Sequence, residues 1–307
     1  IWNEPNIPTF WPEPNVRDYT LMLKEAYKAA KKADPNCTIL AASTSGPDLD
    51  FIKGIYQSGG WDSFDGISIH PYSMSGGPIV QRLDKILRMH NEYIASKGKP
   101  KSLWITEMGW TTEHASYEQD QAIYLTQSYV ISLANGVEKL FWFCLDDWGE
   151  KWGIIKGIDP LNAKPSYYAY QRLTKHLGSP GEAASFEGYM RMPMGVACYV
   201  FKKSANERIL ILWSDRLTKT IRLPKQSSAW HAEDILGNKI DIQDGRLTLS
   251  RVPVILIGPI SPIGPISRAY NPYLEKKGQN LAINGSFDIL NHEGQADWWN
   301  AGRFEGS

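Results

Sequence analysis

Cysteine is scarce. Cys37, Cys144 and Cys198 are odd in number, widely separated and set in apolar surroundings. That argues against a disulfide framework or the paired spacings of a zinc site, and leaves buried free thiols as the expectation. An excess of either charge is also missing, since Lys+Arg and Asp+Glu both number 33. Nucleic acid and anionic membrane surfaces select basic chains, so neither is an expected partner. No apolar run reaches the ~18–20 residues of a membrane-spanning helix. Stretches such as 140–145 suit core strands instead. Zinc-protease and phosphate-loop motifs are absent, and no metal or cofactor is expected. An initiator Met is missing too. The opening Ile1-Trp2-Asn3-Glu4-Pro5-Asn6 reads as the end of a buried strand with nothing before it to pair with, so the chain is read as an N-terminally truncated fragment.

What the chain does have is aromatic side chains, with 12 Trp and 15 Tyr. Part of this fills a large core. Trp2, Trp104, Trp110, Trp142, Trp148 and Trp152, however, fall on or just after apolar strands, where exposed indoles can stack on the C–H faces of sugars.

The first 180 residues alternate strand and helix. A helix starts at Pro14 or Asn15, runs through Tyr19, Leu23, Ala26, Tyr27 and Ala30, and stops at Asp34-Pro35. Strand 38–42 is followed by a helix capped by Asp48, strand 64–70 by helix 78–96, and strand 102–107 by a helix opened by the capping box Ser116-Tyr117-Glu118-Gln119 and closed by Gly136. Strand 137–145 and helix 165–176, ended by Gly178, complete the series. Continuous apolar strands imply burial on both faces, as in a parallel sheet covered by helices. The expected fold class is α/β. It comprises strands 4–8 of a (β/α)8 barrel over residues 1–180, then a small all-β domain at 183–258. Each β/α unit takes roughly 35 residues, so about three units of a complete barrel are not represented.

In such barrels the active site lies where the strands end, so a polar residue closing an apolar strand is a catalytic candidate. Glu4, His70-Pro71-Tyr72 and Glu107 close three of them, and another carries Trp142 and ends near Asp146-Asp147. If Glu4 ends strand 4, Glu107 falls on strand 7, on the opposite side of the barrel mouth. Two carboxyl groups about 5–5.5 Å apart are what glycoside cleavage with retention requires. Either glutamate alone could be a solvated strand-end carboxylate, but two of them, both flanked by Trp, weigh against that.

Asn3-Glu4-Pro5, His70-Pro71-Tyr72, Thr106-Glu107-Met108-Gly109-Trp110 and Trp142 resemble, in order, the motifs of the clan A retaining glycoside hydrolases. The opening hexapeptide and the β appendage look most like family 39 or family 5. The resemblance covers residues 1 to about 178. It implies that Glu4 is the acid/base and Glu107 the nucleophile. It further implies that Asn3 binds the sugar 2-hydroxyl, that Tyr72 holds Glu107, that His70 lines the same wall, and that Trp142 lies beneath the reacting sugar. Trp148 and Trp152, with Asp146 and Asp147, follow the last strand and either shape substrate subsites or serve the loop alone. The family's strand-2 Arg has no counterpart here, because strand 2 is among the units not represented, and Arg17, Arg82 and Arg88, expected on helices, are poor substitutes. The fragment alone is therefore expected to be inactive.

Short strands at 196–201, 209–213, 220–223, 247–249 and 254–257, with an Asp244-Gly245 turn, read as a small sandwich. Residues 259–279 read as a Pro/Gly linker. The stretch 280–307, with Trp298-Trp299, resembles the start of a carbohydrate-binding module. The implied protein is a secreted, extracellular or periplasmic glycosidase acting on β-linked plant-type oligo- or polysaccharides, with carbohydrate as its partner. The alternatives are a non-catalytic sugar-binding barrel protein or another barrel hydrolase. A metal-dependent enzyme would have only His70 and the Asp146/Asp147 pair to draw on.

Overall fold

The computed structural model describes residues 1–73, 76–114, 117–147, 149–157, 162–178, 183–215, 217–223, 229–259 and 266–268. They form two compact units that interleave along the chain. The first draws on Ile1–Met74, Arg82–Trp110 and Asn135–Cys144, the second on the described parts of Ser75–Gln81, Thr111–Ala134 and Leu145–Ser307.

The first unit is a four-stranded parallel sheet with strands β1 (Leu40–Ser45), β2 (Gly66–His70), β3 (Ser102–Met108) and β4 (Lys139–Trp142) in sequential order. Helices α1 (Val16–Ala33), α2 (Leu49–Gln57) and α3 (Leu83–Ala95) belong to it. Asn15 caps α1 by accepting from the Arg17 and Asp18 backbone N–H groups, and Lys31 and Lys32 complement the helix dipole in the last turn. Asp48 caps α2 through the Phe51 N–H. All five residues of β2 are buried, as a strand covered on both faces requires.

Three expectations change. Helix α3 starts at Leu83 rather than Pro78, because Arg82 sits in the left-handed region at φ 59°. Strand β4 is short and alternates exposed with half-buried residues, because among the described residues it has a neighbour, β3, on one side only. The opening segment is not a strand: Trp2 and Glu4 have φ of 62° and 40°. It nevertheless runs beside β1, with the Ile1 ammonium donating to Leu40 O at 2.8 Å and Glu4 N–H to Ser43 O at 3.0 Å.

The second unit contains α4 (Tyr117–Ala134) and α5 (Pro165–Leu177), packed on each other. Pro165 starts α5 where no N–H is needed. Ser116 of the expected capping box lies outside the described residues. Strands β5 (Ser185–Met190), β6 (Val196–Lys202), β7 (Glu207–Ser214), β9 (His231–Asp234), β10 (Lys239–Ile240), β12 (Val254–Pro259) and β13 (Ile266–Ser267) form an antiparallel sheet in the order β10-β9-β12-β7-β6-β5-β13. Strands β8 (Lys219–Arg222) and β11 (Arg246–Leu249) pair separately. Cys198, Val200, Leu210, Leu212 and Leu256 of the large sheet share a core with Ile221, Leu247 and Leu249 of the small one, so the two sheets pack face to face. On the opposite face Tyr199 stacks on Trp213 at 5.0 Å. Strand β13 falls within the stretch read as a linker and pairs with β5. All three cysteines are thiols outside any disulfide, but only Cys198 is buried; Cys37 and Cys144 are half-buried. No helix among the described residues is long and apolar enough to cross a membrane. The segment 280–307, with Trp298 and Trp299, lies outside the described residues.

Candidate active site

The site belongs to the first unit, and its geometry starts at β1. Two residues of β1 oppose one of β2 between Ala42 and Thr44, which makes Ser43 the extra residue of a bulge. Ala42 and Ser43 have φ of 72° and 47° there, and Ser43 O receives the Glu4 N–H. Two further anchors flank this contact. Tyr19 accepts the Ala42 N–H and donates to Ile1 O, while Asn6 pairs with both N–H and C=O of Ser45. The left-handed backbone of Glu4 is thus fixed from both sides, and the residue is buried at 8 % exposure.

His70 closes β2 and is 2 % exposed. Its Nδ1 lies 3.0 Å from Glu4 Oε1 and 3.8 Å from Glu107 Oε2. Its Nε2 lies 2.8 Å from Thr106 Oγ1, which in turn is hydrogen-bonded to Ser68 Oγ. Strand β3 makes this possible. Between Ile105 and Met108 it carries one residue more than β4, so the consecutive Thr106 and Glu107 both reach His70. Tyr72 donates to Glu107 Oε2 at 3.1 Å. Burial and then the Glu107 charge push the Tyr72 phenol well above its ordinary range, so it stays a donor. Its ring meets Phe143 edge-on. Trp142 and Trp110 lie side by side, centroids 5.8 Å apart, and the Trp142 indole N–H is buried with no hydrogen-bond partner among the described residues.

Of the residues singled out from sequence, Glu4, His70, Tyr72, Glu107 and Trp142 all fall in this unit, with Asn3 half-buried beside Glu4. Trp152 and the Asp146/Asp147 pair lie in the second unit. There Gln121 donates to Trp152 O, and Asp147 accepts from Lys164 and from the Gly153 N–H. Trp148 lies outside the described residues. Ser68 and Thr106 were missed, although Ser68 stands two residues before His70 and Thr106 immediately precedes Glu107.

Among the described residues, Glu4, His70 and Glu107 are the one group of His, Cys, Asp or Glu whose donor atoms all lie within 4.8 Å of one another. Such a trio suits a proton-transfer and nucleophile pair. It would also suit a cation, but both imidazole nitrogens are already engaged by Glu4 and Thr106, and a cation on Nδ1 would have to displace the Glu4 contact.

No sequence-family profile and no curated protein matches the chain. Solved structures do. A family 39 glycoside hydrolase from the gut symbiont Bacteroides cellulosilyticus superposes with a TM-score of 0.66 at 24% identity, over 84% of this chain and 57% of that one. A family 30 endoxylanase from Clostridium papyrosolvens gives 0.57 at 13%, over 84% and 64%. A family 39 β-xylosidase from Caulobacter crescentus gives 0.56 at 15%, over 84% and 65%. The chain therefore spans less than two thirds of the length of these structures. It has a partial parallel (β/α)-barrel fold, followed by a small, mostly antiparallel β domain.

Proposed function

We propose that the protein is a retaining glycoside hydrolase that cleaves β-linked plant-type oligo- or polysaccharides by double displacement. The observation that carries this reading is the approach of the Glu4 and Glu107 carboxylates to within 4.8 Å. Retention uses carboxyl groups about 5–5.5 Å apart, whereas inversion needs roughly 6.5–9.5 Å to admit a water.

Glu107 is the nucleophile. It is the more exposed of the two, and the Tyr72 hydroxyl holds one of its oxygens. Glu4 protonates the leaving oxygen while Glu107 attacks the anomeric carbon. Once the glycosyl–enzyme has formed, Glu4 accepts a proton from water, which then hydrolyses the ester. Trp142 lies beneath the sugar ring. Asn3 contacts the 2-hydroxyl. An extracellular or periplasmic setting follows from a polysaccharide substrate.

The test is a product-resolved assay of the full-length protein on aryl β-glycosides and plant polysaccharides, with the first-formed anomer read by NMR. Retention is expected, and Glu107→Gln should lower turnover by about 10³-fold or more while the protein stays folded. Glu4→Ala should spare substrates with good leaving groups and respond to azide. Inverted product, or full turnover by Glu107→Gln, would overturn the assignment. Oligosaccharide binding without any turnover would favour a non-catalytic sugar-binding protein.

A further inference from the structure

Resting on that reading, we infer that Ser68 and Thr106 are positioning residues which fix the proton on His70 at Nδ1 and thereby decide which oxygen of Glu4 carries the catalytic proton. The contacts form one chain: Ser68 Oγ to Thr106 Oγ1, Thr106 Oγ1 to His70 Nε2 at 2.8 Å, and His70 Nδ1 to Glu4 Oε1 at 3.0 Å. Protons can be arranged along it in two directions, and counting donors separates them.

If Nε2 carries the proton, it donates to Thr106, Thr106 donates to Ser68, and the Ser68 O–H is left over. Ser68 is fully buried, and Thr106 is its hydroxyl's hydrogen-bond partner, so that proton has no acceptor among the described residues. If Ser68 donates to Thr106 and Thr106 donates to Nε2, every O–H in the chain is used. Nε2 is then an acceptor, and the neutral ring carries its proton on Nδ1, facing Glu4. A buried polar hydrogen without an acceptor is disfavoured, so the second arrangement prevails.

The consequence falls on Glu4. With Nδ1–H pointing at it, Oε1 is an acceptor whether Glu4 is protonated or ionised. The proton to be transferred therefore resides on Oε2, the oxygen left for substrate. Were Nδ1 an acceptor, Glu4 could donate its proton to the ring and be spent as an acid. The same Nδ1 lies 3.8 Å from Glu107 Oε2, and the Tyr72 hydroxyl faces Glu107, so the groups around the ring are two carboxylates and one phenol. None of these can supply a proton acceptor to the Ser68 end of the chain, which lies on the Nε2 side.

The direct test is a two-bond ¹H–¹⁵N correlation spectrum of the ¹⁵N-histidine-labelled protein, with His70 assigned by its loss in His70→Gln. It needs no substrate, so it is decided separately from the glycosidase reading. The expected pattern is an Nδ1 that carries a proton and an Nε2 that does not. A proton on Nε2 overturns the inference. Kinetics give the second arm. Thr106→Val should cut kcat/KM by about tenfold or more on glycosides with poor leaving groups, which need the acid, and by less than about threefold on activated aryl glycosides. Thr106→Ser should restore both. Equal losses on the two substrate classes, or no rescue by Ser, would reduce Thr106 to a packing residue and overturn the proposal.

Discussion

Tyr72 and Glu107 are joined by an O–H···O contact of 3.1 Å between the segment that follows β2 and the end of β3. Removing the hydroxyl in Tyr72→Phe keeps the ring against Phe143 but frees one nucleophile oxygen. Activity should fall by about 10- to 100-fold in kcat/KM, with little change in thermal unfolding, since a single positioning contact is lost. Because burial and the Glu107 charge both raise the phenol, it stays protonated through neutral and mildly alkaline pH. The alkaline limb of the wild-type pH–rate profile should therefore be unchanged in shape in Tyr72→Phe. An alkaline limb that vanishes in the variant would show that Tyr72 itself titrates.

Acid should loosen the second unit at one identifiable point. His176 Nε2 lies 2.5 Å from Glu233 Oε1, with His231 Nε2 3.3 Å from the other oxygen. Burial, opposed by Glu233, lowers the His176 pKa. Burial tends to raise the Glu233 carboxyl, but the His176 hydrogen bond and charge, helped by His231, outweigh it and hold the carboxyl low. Both folded-state values are depressed, so the unfolded chain binds more protons as pH falls. The stability from this pair is present above the ordinary histidine pKa of about 6.5 and declines below it, with the Glu233 share lost further down through the carboxylate range. His176→Gln keeps a donor but cannot titrate. Its urea midpoint should match wild type near pH 7 and fall less between pH 7 and 5. Parallel curves for the two proteins would contradict this.

The same pair explains why β9 was illegible in sequence. His-Ala-Glu-Asp offers no apolar alternation, because Glu233 is buried through a tertiary contact with α5 that no local pattern announces. Strands β2 and β3 were legible, since their apolar runs end abruptly in His70 and Glu107. The opening segment was misread for a different reason. Ile1-Trp2 has strand-like composition, and two of its backbone contacts with β1 are strand-like, but composition carries no information about the left-handed turns at Trp2 and Glu4. Glu4 and Glu107 could be paired from the strand count alone. Thr106 could not be added to them, because in a regular strand it would face away from Glu107. Only the bulge in β3 turns both toward His70.

Lys164 is fully buried just before α5, with Nζ 2.7 Å from both Asp147 Oδ1 and Thr112 Oγ1. Removing one member of a buried ion pair strands the other, at a cost of about 3–5 kcal/mol. Lys164→Met should therefore destabilise the second unit by roughly 3 kcal/mol in chemical denaturation. The double variant Lys164→Met/Asp147→Asn should recover part of the loss, because the neutral amide still accepts the Gly153 N–H without leaving a buried charge. Strictly additive losses would mean that the two side chains are not energetically coupled.

Asn6 tests whether the opening segment's grip on β1 matters for the site. Its Oδ1 accepts the Ser45 N–H at 2.8 Å, while its Nδ2 donates to Ser45 O at 2.9 Å and to Asp48 Oδ2 at 3.1 Å. The side chain so imitates one more strand residue, two positions beyond the Glu4–Ser43 contact. Asn6→Ala should cost about 1–3 kcal/mol, through polar groups left unpaired on Ser45. Asn6→Asp should cost more, because it replaces the donor with a charged oxygen facing Ser45 O and Asp48. If Glu4 depends on this anchor, both variants should lose activity in the same order as stability, and at a temperature where both remain folded. Loss of stability with unchanged kcat/KM would show that Ile1 and Glu4's own backbone contacts are enough to hold the carboxyl group in place.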